Sequence, residues 1–503
     1  MQGIRFKVQK VREFLLSRWF WLLVVLVLVI SRFSTWLFPF DSDHWIFYYI
    51  GKKWAQGSIL YVDMWDHKSP LIYGYNAIIH NLLGSNIFLH RILFTVIAII
   101  GIFLFYHTAK ELSKQLKVKS LELSVRISTL LFIFVSNLAQ FTNSGNNNEN
   151  LAIPFLLGMT WCYLIYRRNI TKYQNALIAS GILAGFVFFF KANFAILILP
   201  IVAEIIYINR KRFLKIISSL CLFGFGTVLQ LLIWFVYFEK LHTFKQFFVA
   251  SYEFNSKYIK ALGWDLNTPG ILIFIGILLL LLASFAPFII RGLIGFAKPD
   301  KHIKYFLALI STSSLMFIIL AGTFYSHYFL VVIPYMCLLF VAYWQTFFAN
   351  RRYIKLFSLL IILLIMFTLN LKLGIYNFYK GSAASDLKSQ KLAAEYVKQK
   401  TSKNDKIFAN IYGATFYNLA KRDSGSRFIS ASHPLIDYKY RLGYNFNTRF
   451  IVDMEQAQTK YVVMSADKND LYRTQNPVLM RYFLHNYHLE TRVQGYEIYR
   501  RNE

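Results

Sequence analysis

The sequence predicts an α-helical polytopic membrane protein with a small α/β domain towards its C-terminal end. Three observations predict it. First, 56% of the 503 residues are hydrophobic and only 16% are charged, against about 25% charged in a typical soluble domain. Second, the windows 19–30, 87–106, 271–283 and 356–369 are nearly free of charge, the mark of helices that cross lipid. Third, the pattern changes after residue 375, where apolar runs shorten to strand length and alternate with helical stretches.

The apolar segments give about 11 spans: 19–40, 87–107, 125–141, 151–166, 174–190, 192–208, 213–238, 270–291, 304–322, 325–347 and 353–373. No small-x-small cleavage site follows 19–40, so it reads as a first span and not a removable leader. The formal charge of +30, from 55 Lys and Arg against 25 Asp and Glu, does not call for nucleic acid. Basic residues recur in every second connection, as at Lys110–Lys119, Arg167-Arg168, Arg210-Lys211-Arg212 and Arg351-Arg352. Such loops face the cytoplasm, and the excess also favours anionic lipid head groups. Both flanks of 174–208 are basic, so this stretch is expected to pass twice and turn near Lys191-Ala192-Asn193. Cys162, Cys221 and Cys337 are far apart inside apolar segments and read as small core residues.

This threading puts the N-terminus in the cytoplasm. Segments 41–86, 142–150, 191–193, 239–269, 323–326 and everything after 374 face outward. Asp43, Asp66, His67, Lys68, Glu149, Lys191, Glu253 and Asp265 fall there, and His327 and Tyr328 follow directly on 323–326. Two domains follow: a membrane module 1–375 with the outer loop 41–86, and an extracytoplasmic α/β domain 376–503. In the loop, Asp43 is expected to cap a surface-lying helix, with Trp45, Tyr48, Tyr49 and Trp54 as an interfacial aromatic belt. Pro70 opens a second helix and Gly84 ends it, with Leu71, Ile72, Ile78, Ile79, Leu82 and Leu83 towards lipid. In the tail, strands are expected at 406–411, 427–430, 461–464 and 496–499, and a helix at 386–400. Residues 143–150, Asn-Ser-Gly-Asn-Asn-Asn-Glu-Asn, are the one low-complexity piece.

The run Asp43-x4-Tyr48, Gly57-x3-Tyr61-x-Asp63-x-Trp65-Asp66-x-Lys68-x-Pro70-x2-Tyr73 resembles the first outer loop of polytopic C-type lipid-linked-sugar glycosyltransferases. Among them it resembles the bacterial protein-mannosyltransferase and aminoarabinose-transferase group. Leu83-Gly84 with Arg91, then Glu149, Gly181-x3-Gly185 with Lys191, and Tyr325-Ser326-His327-Tyr328 with Pro334 resemble later family elements in the same order. Asp405-Lys-Ile-Phe408 and Arg427-Phe428 resemble the outer domain. Two positions depart from the pattern: His44 stands where an acidic residue is common, and Lys68-Ser69-Pro70 replaces the usual Lys-Pro.

The resemblance implies an inverting glycosyltransferase in a bacterial plasma membrane. It would move a sugar from a polyprenyl-phosphate monosaccharide to an extracytoplasmic acceptor: a wall polymer, a glycolipid or a protein. Asp43 would be the base, with Asp41 in reserve. Lys68 would meet the donor phosphate, aided by Arg91 and Lys191. His327 and Tyr328 would bond phosphate or sugar, and Glu149 would orient the acceptor. Asp66 and His67 are secondary. No cofactor is fixed by the sequence. A divalent metal on Asp43, Asp66, His67 and Glu149 is conceivable, but no ligand spacing supports it. Nucleic acid is not an expected partner, and oligomeric state is open. The rivals are a transporter or flippase for a lipid-linked precursor, and a non-catalytic surface protein on the same scaffold.

Overall fold

A computed structural model describes residues 13–37, 40–118, 121–262, 302–322, 325–348, 382–467 and 470–503, with isolated positions between 368 and 376. The spans expected at 270–291 and 353–373, and Asp265, lie outside the described residues apart from those isolated positions. Contacts divide the chain into two units. A helical unit takes in Met1–Phe38, Arg91–Trp234 and Trp264–Ile375; a sheet-bearing unit takes in Pro39–His90, Phe235–Gly263 and Tyr376–Glu503. Segment 41–86, assigned on sequence to the membrane module, shares the second unit with the tail.

Among the described residues, four helices are long and apolar enough to cross a membrane: Trp19–Leu37, Ile87–Gln115, Phe213–Lys240 and His302–Leu320. Shorter apolar helices include Gln174–Phe190, which ends where the sequence pattern ends. Within the helical unit, glycine sets how closely two of these helices approach. A Cβ on Gly181 would lie 2.0 Å from the Phe223 carbonyl oxygen, and one on Gly226 would lie 2.3 Å from that of Ile178. Small residues at such crossings let backbones meet where no hydrophobic drive separates lipid from protein. Cys337 is buried and Cys162 half-buried, but Cys221 is exposed, so it is not the core residue expected. Its helix also exposes Phe213, Leu214 and Phe225, an outward apolar face.

The sheet-bearing unit holds a mixed five-stranded sheet in the order β2-β1-β3-β5-β4. The strands are β1 Lys406–Ala409, β2 Asp423–Ser424, β3 Tyr461–Ser465, β4 Tyr487–Val493 and β5 Tyr496–Arg501. β1 is parallel to β2 and β3, whereas β5 runs antiparallel to β3 and β4. Phe408, Phe450 and Phe483 pack beneath the sheet. Residues 427–430 are not the expected strand. They follow β2, and Phe428 forms one parallel bridge with Trp65. β4 was not expected, because as an edge strand it buries only Tyr487 and carries little apolar signal.

Both loop helices form, at Ser42–Ala55 and Pro70–Leu83. Their faces differ from expectation. Trp45, Tyr48 and Tyr49 are buried within the protein, not arrayed at an interface, and Ile72 and Ile79 are buried too. Ile78, Leu82 and Leu83 remain exposed. The helices touch at Gly51, where a Cβ would come within 2.3 Å of Asn76 Cβ. Gly84 ends the second helix at φ +65°, the left-handed stop that glycine adopts without steric cost. The first helix is tied to the sheet by charge. Lys53 Nζ and Lys406 Nζ both donate to Asp423 Oδ2, at 3.1 and 3.0 Å.

Candidate active site

In the sheet-bearing unit the chemistry gathers at the two ends of the loop. Asp41, not Asp43, is the N-cap of helix Ser42–Ala55: its Oδ1 accepts from the His44 amide at 3.0 Å. The helix begins one residue after Asp41, which alone has the extended backbone a cap needs. Asp43 therefore sits in the first turn, exposed to solvent, where the positive end of the helix favours its anion.

Further along, the chain turns through Gly57 (φ +94°) and Tyr61 (φ +68°). Asp63 stabilises this turn by accepting from the Ile59 amide at 2.7 Å. The left-handed conformation of Tyr61 is costly for a non-glycine residue, and hydrogen bonds hold it. The Tyr61 hydroxyl donates to the Lys68 carbonyl at 2.8 Å and receives a bond from Ser251 Oγ at 3.0 Å. Asn255 Nδ2 donates to the His67 carbonyl at 2.7 Å, so both backbone carbonyls beside the site are fixed.

Asp66 is the centre of this site. Its side chain is 4% exposed. Oδ2 accepts from the Tyr73 hydroxyl at 2.5 Å, and Oδ1 lies 3.0 Å from His433 Nε2 and 3.2 Å from His67 Nδ1. Those two imidazole nitrogens are 2.8 Å apart. The Lys68 ammonium lies 3.1 Å from His67 Nε2. Burial pushes the Asp66 carboxyl up, but the hydrogen bonds from His433 and His67 outweigh it and hold the group well below the usual carboxylate range. Burial, then the neighbouring Lys68 charge, lowers His67 to about 4, with Asp66 opposing. At neutral pH the pair is thus an anionic carboxylate and a neutral imidazole beside a cation.

In the helical unit a second cluster forms from three elements. Glu149 lies in the first turn of helix Asn148–Arg168 and is 2% exposed. Its Oε1 accepts from Lys191 Nζ at 2.9 Å, and its Oε2 lies 3.9 Å from His327 Nε2. Lys191 occupies the break between helix Gln174–Phe190 and the 3-10 turn Ala192–Leu197. Its ammonium stands 3.7 Å over the Tyr328 ring, a cation–π contact. His327 and Tyr328 come from the 3-10 turn Ser326–Tyr328. Four residues chosen separately from the sequence therefore meet. Arg91 lies in the second turn of helix Ile87–Gln115 and receives a backbone hydrogen bond from Thr95 Oγ1 at 3.0 Å.

Residues 67–235 match the family described as dolichyl-phosphate-mannose-protein mannosyltransferase. The chain is similar to ArnT from Cupriavidus metallidurans bound to undecaprenyl phosphate, at TM-score 0.61 and 12% identity over 96% of this chain and 98% of that one. The same protein in the apo state gives TM-score 0.59 at 12% identity, over 96% and 97%. The Archaeoglobus fulgidus oligosaccharyltransferase tethered with an acceptor peptide gives 0.57 at 13% identity, over 98% of this chain and 75% of that one. No curated protein matches by sequence. The fold is that of the C-type glycosyltransferases. At these identities the likeness carries the C-type fold and leaves each residue's role to be argued from this chain.

Two features of this C-type chain escape sequence reasoning. His433 is 366 residues from His67, with which it pairs; its one local signal is a histidine before Pro434, shortly after the Arg427-Phe428 match. The Asn-rich stretch is also more than a loop. Asn146 to Asn150 are buried. Asn147 Oδ1 accepts from the Asn150 amide at 2.8 Å and so caps the helix that carries Glu149.

The metal set conceived from sequence changes in membership. Asp66 and His67 converge with His433, and one ligand atom from each lies within 4.8 Å of the others. Their separations of 2.8–3.2 Å approach the ~3.3 Å edge of a tetrahedron whose ligands lie ~2.0–2.1 Å from zinc. Two imidazoles and a carboxylate suit such an ion, which would act as a Lewis acid or a local brace when bound. Asp66, His67 and His433 would hold it. The outer nitrogen of His433 has no hydrogen-bond partner among the described residues, so the outer support that usually orients a ligating histidine is lacking there.

Proposed function

We propose that this chain is an inverting glycosyltransferase. It takes a sugar from a polyprenyl-phosphate monosaccharide and gives it to an acceptor on the extracytoplasmic side of a bacterial plasma membrane. The observation that carries this reading is the fold match along nearly the whole chain to ArnT bound to undecaprenyl phosphate. The residues of the two clusters supply matching chemistry. An acceptor hydroxyl attacks the anomeric carbon, and the bond from that carbon to the phosphate oxygen breaks. The electron pair leaves on the phosphate, and the hydroxyl proton passes to a carboxylate. Asp43, exposed in the first turn of its helix, is the proposed base, with Asp41 beside it. Lys68 is the proposed partner of the leaving phosphate, and fixed cations there act on the charge that develops in the transition state.

The Glu149–Lys191–His327–Tyr328 cluster supports a polar site in the helical unit that holds donor or acceptor groups, with Arg91 as a further phosphate contact. In this topology the tail lies outside the cell and the basic loops lie inside. The test is mass analysis of envelope glycans and glycolipids in a deletion strain complemented with wild type or Asp43→Asn. Deletion is expected to remove one sugar modification, and the Asn variant to restore about 1% of it or less, as loss of a general base predicts. Full rescue by Asp43→Asn, or an unchanged glycan profile on deletion, overturns the assignment.

A further inference from the structure

Beside the Asp66–Lys68 segment, the sheet-bearing unit contains a cavity of about 500 Å³, a volume typical of small-ligand sites. We propose that this cavity seats the acceptor, and that the acceptor is an anionic carbohydrate, a sugar chain carrying phosphate or carboxylate groups. The proposal rests on the transferase reading and deepens it.

Charge is the first argument. Lys245, Lys257, Arg427 and Arg449 line the cavity, against one carboxylate, Glu253. Two of the cations are already engaged. Lys257 pairs with Glu253 at 2.9 Å. Arg427 grips Asp453 through both Nε and Nη2, at 3.0 and 2.8 Å. Lys245 and Arg449 form no ion pair among the described residues and are exposed, so their charge is available to a ligand. The engaged pairs act as fixed posts, and the other two cations supply the attraction.

Ring surfaces are the second argument. Half-buried Tyr444 lines the cavity and stacks on Phe446 with ring centres 5.2 Å apart, while Phe446 and Trp65, both buried, form the backing behind it. A flat array of lysines would suit a lipid surface. A concave site with one accessible tyrosine ring on an aromatic backing and separated cations suits a sugar ring with an acidic substituent.

The third argument is placement. Tyr61, on the cavity wall, donates to the Lys68 carbonyl, and Trp65 immediately precedes Asp66. Next to Tyr61 in the wall is a π-helical turn, Val249–Glu253, whose Ser251 Oγ donates to the Tyr61 hydroxyl, a rare geometry often found at functional sites. It brings Val249 and Glu253 into one lining. The cavity thus shares its wall with the segment that carries the proposed phosphate partner.

The experiment uses the full-length protein in lipid nanodiscs. Three hexasaccharide probes are titrated by calorimetry: oligogalacturonate, with one carboxylate per ring, phosphorylated maltohexaose, and neutral maltohexaose. Wild type is expected to bind the two charged probes, more weakly as salt rises, and the neutral probe far less. Lys245→Gln and Arg449→Gln are each expected to weaken charged-probe binding about tenfold, the worth of one charge-assisted hydrogen bond. Both sites are exposed, so melting temperature should not move. Equal binding of neutral and charged probes, no binding of any probe, or unchanged binding by the double variant overturns the proposal. So does complete competition by phosphatidylglycerol vesicles but not by charged sugars, which would make the patch a lipid contact. Undecaprenyl phosphate binding is measured in parallel. Its loss in wild type would count against the transferase reading, whereas its retention without sugar binding would count against this proposal alone.

Discussion

Replacing Lys191 by methionine tests whether the buried Glu149 depends on the ammonium beside it. The ammonium and carboxylate lie 2.9 Å apart, and the Glu149 side chain is 3% exposed. At an effective dielectric near 20 their attraction is about 6 kcal/mol. Removing the lysine also removes its own desolvation cost, so the expected loss is about 3–5 kcal/mol, the range for breaking a buried pair from one side. The cation–π contact with Tyr328 adds roughly 1 kcal/mol. The assay is thermal unfolding in detergent of wild type, Lys191→Met, Glu149→Gln and the double variant. With both charges gone no stranded carboxylate remains, so the double variant should be more stable than Lys191→Met alone. Strict additivity of the two single losses, or a loss within about 0.5 kcal/mol of zero for Lys191→Met, would refute the argument.

Tyr73→Phe removes the donor that meets Asp66 Oδ2 at 2.5 Å and should cost about 1.5–3 kcal/mol, the worth of a hydrogen bond to a charged group, read by the same melts. Stability should also fall as pH drops from 6.5 towards 4. In that window unfolded chains protonate His67, whereas the folded state holds it neutral down to about 4, so the unfolded state binds the extra proton. Asp66, depressed in the fold, loses its contribution at lower pH still. His67→Gln should flatten the first part of this profile; an unchanged slope would rule out His67 as its source. Gly181→Ala would force a Cβ against the Phe223 carbonyl and should cost about 1–3 kcal/mol or more. Gly224→Ala, with nothing within 4 Å of the new atom, is the matched control and should melt like wild type.

Helix content was legible in the sequence because charge-free runs of spanning length have few other outcomes. Gln174–Phe190 falls on the expected boundaries, and Pro70 and Gly84 bracket their helix as their backbone preferences dictate. What hydropathy does not say is against what an apolar residue is buried. Trp45, Tyr48 and Tyr49 read as an interfacial belt, yet they are covered by protein. The same limit applies to the site. Glu149, Lys191, His327 and Tyr328 stood out because a charged or polar group in an apolar setting is conspicuous. His433 did not, because its meaning lies in a partner hundreds of residues away. Asp41 took the cap from Asp43 by a shift of two positions, a distinction set by backbone angles that composition does not carry.

The order of the strands has a consequence for how the protein is made. β5, the last of the five to leave the ribosome, lies between β3 and β4 and not at a margin. Until Tyr496–Arg501 is synthesised, β3 has an open side and β4 has nothing to pair with. Loop helix Ser42–Ala55 must likewise wait for Asp423, 370 residues beyond Lys53, before Lys53 finds its counter-ion. Nascent chains stopped just short of β5 would therefore leave unpaired backbone for chaperones and proteases to find.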